Sequence, residues 1–494
     1  MLQALISILQ PHVLLFLFLG VLAGIVVGAL PGLSATMAVA VLTPITFWLD
    51  KSAGFAMLLG VYNSAIWAGG ISAILINIPG TPASIAQTFD GYQLARRGNA
   101  GLALGINTIY SVLGGLVSTV VLYLLAFPLA RFALKFEATE YCAVGLFGLS
   151  LMVSVSQKSI LKGLIIGVIG MLIATVGMDP MEGFMRFTFG MNSLIDGISF
   201  ISIMIGIYGI GEILDQIWQN EKSKRTTMEA DKVSLSRIFP NWSEIKRTIP
   251  GTLLAAVISP FIGVLPGTGG DIASLICWDT AKRVSKKPEE FGKGSIEGIA
   301  ATSFANNGVI GGAITTMLTL GIPGDSVTAV LLGALMMYGL VPGPRLFQDN
   351  ISFVYSIIIL MVFANILILI VGLITTKLSY RILDIPKEII WISVVLLCVV
   401  GSYAINNSIA DVYITIISGV LGFFLRRMKF PIGPLILGIL MGKIIEPNLR
   451  RALIIHNGDW SVFLTRPISL VLILLSILSF TWPLMIGIFK KKAK

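Results

Sequence analysis

Residues 74–85 read ILINIPGTPASI and residues 318–329 read LTLGIPGDSVTA. Each sets an Ile-Pro-Gly break in an otherwise apolar run and follows it with a small polar residue. Proline lacks a backbone donor and clashes with the preceding turn, so a helix should end there. In hydrocarbon the freed backbone groups find no water, and such a break is tolerated only where protein or a polar cavity receives it. Two breaks of one form, far apart in the same chain, point to a shared purpose.

The composition sets the medium. Hydrophobic residues make up 55% of the 494 and charged residues 12%; 52 are glycine, and the mean hydropathy is +0.91. A soluble protein of this size needs more charged surface, so the chain reads as an all-α integral membrane protein. The net charge of +10 does not point to nucleic acid. Its positives cluster in loops, at 220–248, 281–294, RRMK (426–429) and the tail KKKAK (490–494), the loop bias of the positive-inside rule. Cys142, Cys277 and Cys398 stand singly in apolar runs, and His12 and His456 lie far apart. No spacing suggests a metal site, redox pair or disulfide framework. The N-terminal stretch has no basic region ahead of its apolar run and reads as a retained first membrane helix.

Apolar segments fall near 12–30, 35–49, 54–78, 100–130, 140–157, 160–177 and 197–218. A second series runs 250–266, 270–281, 296–322, 326–341, 352–376, 388–405, 409–425, 431–445 and 467–489. Several are shorter than the roughly 20 residues that span a bilayer. We expect about 12–15 membrane segments, including broken helices and re-entrant hairpins.

The two series resemble each other. VGALPGLSA (27–35) matches IGVLPGTGG (262–270), YNSA (62–65) matches NNGV (306–309), and the two Ile-Pro-Gly breaks follow in order. The offset grows along the chain, from 235 between Pro31 and Pro266 to 244 between Pro79 and Pro323 and 252 between Gly167 and Gly419. Ordered matches with a drifting offset are what a duplication with small insertions leaves. Placing loop 220–248 and the tail in the cytoplasm puts Arg96, Arg97, Lys158, Lys162, loop 281–294, Lys377, Arg381, Arg426 and Arg427 on the same side. Loop 50–54, the counterpart of 281–294, then lies outside, so the repeats have inverted topology. Arg450 and Arg451 fall on the wrong side. The expected organisation is a first membrane repeat over 1–218, a charged cytoplasmic linker over 219–249, a second, inverted repeat over 250–466, and an extra C-terminal helix with a basic tail over 467–494.

Inverted repeats with discontinuous helices mark secondary transporters, whose substrate site lies at the repeat interface near mid-membrane. Asn77 precedes the first break; after it Gly80 turns the chain, Thr81 is placed to cap, and Pro82 suits a first helical position. At the second break Gly324 turns and Asp325 or Ser326 caps. A further pair of turns, at Pro31-Gly32 with Ser34 and at Pro266-Gly267 with Thr268 and Asp271, repeats the device. Each break should start a half-helix whose free amides hold an anion without a buried lysine. Thr81 and Asp325 are expected to meet at the centre of the protein. Asn63, Asp271, Asn306, Asn307 and Asp325 are costly in lipid and are candidates for ion coupling: carboxylate and amide oxygens suit Na⁺, and either aspartate could carry a proton. Proline-glycine turns also end ordinary helices, aspartates also serve as caps, and asparagines also glue helices together.

Taken together, GALPGLSATMAVAVLTPITF, NIPGTPASIAQTFDGYQLARRGNAGLALG, GVLPGTGGD and LGIPGDSVTAVLLGALMMYGLVPGPRLF resemble the large membrane subunit of bacterial tripartite tricarboxylate transporters over nearly the whole chain. The resemblance implies a multi-pass permease of the bacterial inner membrane with two partners, a small four-helix membrane subunit and a periplasmic substrate-binding protein. It implies uptake of citrate or another tricarboxylate, or of related dicarboxylates, by symport with Na⁺ or H⁺. No cofactor is expected beyond that coupling ion, and the absence of a G-x-x-x-x-G-K-[ST] loop agrees with gradient-driven uptake. An autonomous organic-anion exporter or exchanger is the alternative. A membrane enzyme would need clustered acid–base or metal-binding groups, which scattered acids and two distant histidines do not supply.

Overall fold

The computed structural model describes residues 1–155, 160–222, 237–375 and 386–492. Residues 223–236 of the charged linker, together with Lys158, Lys377 and Arg381, lie outside the described residues. The described chain is helical apart from one short hairpin. Its first part runs α1 (Leu2–Ile8), α2 (Pro11–Ala29), α3 (Ala35–Thr46), α4 (Lys51–Ile76), α5 (Gln87–Leu94), α6 (Ala100–Ala133), α7 (Ala138–Val155) and α8 (Ile160–Ala174). The hairpin β1 (Gly177–Met178) and β2 (Met185–Arg186) follows, then α9 (Phe200–Ile205) and α10 (Gly211–Lys222). The second part runs α11 (Trp242–Val264), α12 (Gly269–Val284), α13 (Ile296–Gly308), α14 (Ile310–Leu320), α15 (Ser326–Met337), α16 (Pro344–Asp349) and α17 (Ile351–Thr375). It ends with α18 (Lys387–Asn406), α19 (Ile409–Arg427), α20 (Ile432–Ile455), α21 (Val462–Thr465) and α22 (Pro467–Lys492). Among the described residues nine helices are long and apolar enough to cross a membrane, and five further apolar helices are shorter. This is an all-α, multi-pass membrane protein.

Two central elements are buried from end to end, α4 over Ser52–Ile74 and the α13–α14 pair over Glu297–Thr319. Each begins at a side-chain cap. Asp50 Oδ2 accepts the Ser52 and Ala53 amides at 2.9 and 3.2 Å, and Ser295 Oγ accepts the Gly298 amide at 3.2 Å. Helices in lipid gain nothing from apolar burial against each other, so small residues that let backbones close in decide the packing. Gly20 and Gly28 of α2 face the carbonyls of Met57 and Ala65, where an added Cβ would stand 2.2 and 2.3 Å away. Gly263 of α11 faces the Val309 carbonyl in the same way, at 2.1 Å. Thus α2 packs on α4 as α11 packs on α13 and α14.

The central elements also end alike. Asn77 closes α4 and Gly321 closes α14, both in the left-handed conformation (φ 57° and 70°). Asparagine and glycine are the residues that adopt it at low cost. The helices therefore stop two residues before Pro79 and Pro323, and the prolines lie in the turns that follow.

The arginine on the wrong side of the charge count has a local cause. Arg450, near the end of α20, bonds Asp179 Oδ2 at 2.6 Å and Glu182 at 3.2 Å, both in the β1–β2 hairpin. Arg186 of that hairpin pairs with Asp179 at 3.3 Å and with Glu446. An arginine neutralised by fixed acids carries little topological weight, while Arg451 beside it stays exposed.

Candidate functional site

The four breaks come together. A cavity of about 220 Å³ is lined by Ser34 and Thr36 after the first, Thr81 and Ala83 after the second, Gly267 and Asp271 at the third, and Asp325 and Ser326 at the fourth. Met152 of α7 and Ile66 of α4 complete its wall. No lysine or arginine is among the described lining residues. Thr81 and Asp325 thus border one space.

Each break presents a helix start to the cavity. Ser34 caps α3, its Oγ accepting the Met37 amide at 3.1 Å. Asp325 caps α15: its Oδ1 accepts the Thr328 amide and hydroxyl, both at 2.8 Å, and its own amide donates to Thr328 Oγ1 at 2.9 Å. Such starts carry roughly half a positive charge. Asp271 lies in the first turn of α12, and Gly269 between the acids is tight: an added Cβ would meet Asp271 Oδ1 at 2.9 Å and Asp325 Cβ at 4.0 Å. Two carboxylates therefore share a wall that has no fixed cation.

Thr81 departs from the expected cap. The short helix Pro82–Ser84 is stabilised by Ser84, whose hydroxyl accepts the Thr81 amide at 3.3 Å and donates to the Thr81 carbonyl at 2.7 Å. Among the described residues the Thr81 hydroxyl has no hydrogen-bond partner, although the residue is only 2% exposed. A buried hydroxyl without a partner is costly, and this one belongs to a residue that borders the cavity.

Thr268 does not cap α12 either. Its hydroxyl reaches back to the carbonyls of Ile262 and Leu265, at 2.5 and 2.7 Å. The end of α11 leaves carbonyls short of helical partners, and the single Thr268 hydroxyl proton is shared between these two. Several expected site residues hold the turns in shape and do not line the cavity. Gly80 donates its amide to the Gly69 carbonyl at 3.1 Å and is pressed against Gly28, where a Cβ would stand 2.1 Å from the carbonyl. Gly324 is pressed against Gly263 and Ala313 likewise, at 2.5 and 2.6 Å, and its carbonyl accepts the Gly267 amide at 2.7 Å. Gly32 (φ 92°) gives its carbonyl to Gln216, and Pro31 packs near Trp391. Pro266 is buried in its turn, and Asn77 is the exposed C-cap of α4.

The three asparagines are not at the cavity. They form a buried belt between helices: Asn307 Nδ2 donates to the Asn63 carbonyl at 3.3 Å, Asn365 Nδ2 to Asn63 Oδ1 at 3.4 Å, and Ser111 Oγ to Asn306 Oδ1 at 2.9 Å. This ties α4, α6, α13 and α17 together as interhelical glue.

One residue that the sequence reading passed over joins the site. Tyr62, fully buried in α4, donates its hydroxyl to Asp325 Oδ2 at 2.5 Å. It belongs to the YNSA string, where the neighbouring asparagine drew the attention.

Comparison with known proteins agrees with this architecture. Residues 14–437 match the family model described as "Tripartite tricarboxylate transporter TctA family". The chain is 39% identical to an uncharacterized 52.8 kDa protein in the TAR-I ttuC' 3' region of Agrobacterium vitis, over 98% of this chain and 96% of that protein. It is 40% identical to an uncharacterized protein in the TAR-II ttuC' 3' region of the same organism, over 42% of this chain and 86% of that protein. No solved structure matches. Match and likeness cover nearly the whole chain, cavity and breaks included, and the chain belongs to the tripartite tricarboxylate transporter TctA family.

Proposed function

We propose that the chain is the permease of a binding-protein-dependent secondary transporter that takes up organic carboxylates across a bacterial inner membrane. Tricarboxylates such as citrate, or related dicarboxylates, are the substrate class, and a Na⁺ or H⁺ gradient drives the movement. The cavity where four helix starts converge carries this reading. Its amides, the Ser34 and Ser326 side chains and the unpartnered Thr81 hydroxyl can hold carboxylate oxygens in a space without lysine or arginine. Asp271 and Asp325 on the same wall would repel a lone polyanion, so the substrate travels with a cation or proton that these acids receive.

The matched construction of the two halves supports an inverted repeat whose two parts rock about this cavity. A periplasmic binding protein would deliver the substrate and a small four-helix membrane subunit would complete the complex. The test is uptake of radiolabelled citrate and a panel of di- and tricarboxylates into proteoliposomes holding the chain with both partners. Uptake that needs the binding protein and collapses when the Na⁺ and H⁺ gradients are dissipated supports the proposal. Full-rate transport by the chain alone would favour an autonomous exporter or exchanger, and a requirement for ATP would overturn both.

A further inference from the structure

We propose that the protein holds one anionic phospholipid from the leaflet on its basic face. An acyl chain fills a crevice between α8, α9, α19 and α20, and the phosphate rests among Lys162, Arg427 and Lys429. The crevice has about 440 Å³ of space and is lined almost wholly by isoleucine and leucine. Its one polar lining residue, Ser418, already donates to the Thr415 and Ile203 carbonyls at 3.1 and 3.4 Å. Nothing there can hold a carboxylate substrate. An apolar chain is what fits.

The dimensions fit a lipid tail from one leaflet. On α8 the wall is Ile166, Ile169 and Ile173, and on α19 it is Ile414, Ile417, Leu421 and Leu425. These fall at three- and four-residue steps, one face of each helix. Lys162 lies one turn before Ile166 on that face, and Arg427 follows Leu425 closely. From the level of Lys162 to that of Ile173 is about 16 Å at 1.5 Å per residue, half of a roughly 30 Å hydrocarbon core. The crevice opens sideways toward lipid, since Ile417 and Leu421 are 58% and 55% exposed.

The basic end is built at headgroup depth. Lys162 Nζ donates to the Met428 carbonyl at 2.6 Å and lies 4.9 Å from the Phe430 ring centroid, which fixes the start of α8 beside the end of α19. Arg427 lies over the Trp218 ring at 4.7 Å, and its nearest acid, Asp215, is 3.7 Å away. Lys429, in a left-handed turn (φ 60°), is exposed and has no acidic partner among the described residues. Aromatic rings beside basic side chains mark the membrane interface, and basic pockets between transmembrane helices bind anionic headgroups. The positive-inside rule places RRMK on the cytoplasmic side, where the leaflet is anionic.

The full chain, delipidated in detergent, is titrated with palmitoyl-oleoyl phosphatidylglycerol or the matching phosphatidylcholine and read by native mass spectrometry. The wild type should retain one phosphatidylglycerol in strong preference to phosphatidylcholine. Lys162→Ala/Lys429→Ala should lower that preference roughly thirty-fold, at about one kcal/mol for each cation. Ile169→Trp/Ile417→Trp, which fills the crevice, should release both lipids. Helical content and elution volume verify that each variant is folded. Should a variant fail to fold, the wild type still decides: raised NaCl should erode the phosphatidylglycerol preference and leave phosphatidylcholine retention unchanged. Equal retention of the two lipids by the wild type, unchanged preference in the lysine variant, or retention unaffected by the tryptophans would each overturn the proposal. So would an Ile417→Cys variant that crosslinks to a helix of the small membrane subunit and excludes phosphatidylglycerol.

Discussion

The Tyr62 hydroxyl donates to Asp325 Oδ2 at 2.5 Å, joining the central helix of the first half to the break in the second. Asp325 Oδ1 is meanwhile occupied by Thr328, so Tyr62 holds the oxygen that a coupling cation or proton would contest. Tyr62→Phe should lower the initial uptake rate about tenfold, equivalent to ~1.4 kcal/mol, while the purified protein stays folded. Asp325→Asn should abolish gradient-driven uptake altogether. Uptake into proteoliposomes under an imposed gradient measures both; a wild-type rate in Asp325→Asn would remove Asp325 from the coupling route, and one in Tyr62→Phe would show the tyrosine hydrogen bond to be dispensable.

Gly80 and Gly324 are the tightest points of the two turns. A methyl group at either would stand within 2.1 or 2.5 Å of a backbone carbonyl oxygen. Backbone cannot yield as a flexible side chain does, and overpacking of this kind costs about 1–3 kcal/mol. Gly80→Ala and Gly324→Ala should each lower the thermal midpoint in detergent by several degrees and reduce uptake further than Gly98→Ala. At Gly98 an added Cβ meets nothing within 4 Å, although its φ of 80° carries a strain of its own.

The breaks were legible in the sequence because an asparagine or glycine cap two residues ahead of a Pro-Gly pair ends a helix locally, whereas a lone proline does not: Pro44, Pro128, Pro260 and Pro447 lie inside helices. That Thr81 and Asp325 border one cavity was expected from the matched strings around the two Ile-Pro-Gly breaks. What stayed hidden depends on distant partners. A tyrosine within a buried apolar helix reads as core, and only tertiary contact makes Tyr62 a partner of Asp325. Asn63, Asn306 and Asn307 stood out because amides are costly in lipid, yet helix gluing carries that same signature. Thr268 resembles a cap in sequence because its type and spacing suit one. Whether it reaches forward to amides or back to carbonyls depends on how α11 ends.

The β1–β2 hairpin supplies a pH test outside the membrane segments. The Met181 amide above all, then the Glu182 amide and the Arg450 guanidinium, hold the Asp179 carboxyl down to about 2 against the opposing effect of burial. A carboxyl with a depressed pKa in the folded state stabilises it above its ordinary value, and that contribution is lost as pH falls through the folded one. The clasp between the hairpin and Arg450 should therefore hold from neutral pH down to about 4 and open between about 4 and 2. Hydrogen exchange of the 177–186 amides across that window reads the opening directly. Asp179→Asn should shift the opening up to neutral pH, because the amide cannot supply the charge that Arg450 and Arg186 face.

Thr81 separates binding from folding. Its hydroxyl has no hydrogen-bond partner among the described residues, so Thr81→Val removes no hydrogen bond seen in the structure. The substitution also relieves a buried polar group of its desolvation penalty, worth about 1–3 kcal/mol when unsatisfied. The thermal midpoint should stay level or rise by a few degrees. If the hydroxyl meets a substrate carboxylate, the same variant should raise KM for the transported acid by about ten-fold, the cost of one hydrogen bond to a charged group. Thr81→Ser restores the hydroxyl and should restore KM. Proteoliposome uptake over a range of substrate concentrations, beside thermal unfolding of the same preparations, gives both readings. A valine variant with unchanged KM would leave the carboxylate to the backbone amides, and one that unfolds at lower temperature would mean the hydroxyl serves the fold.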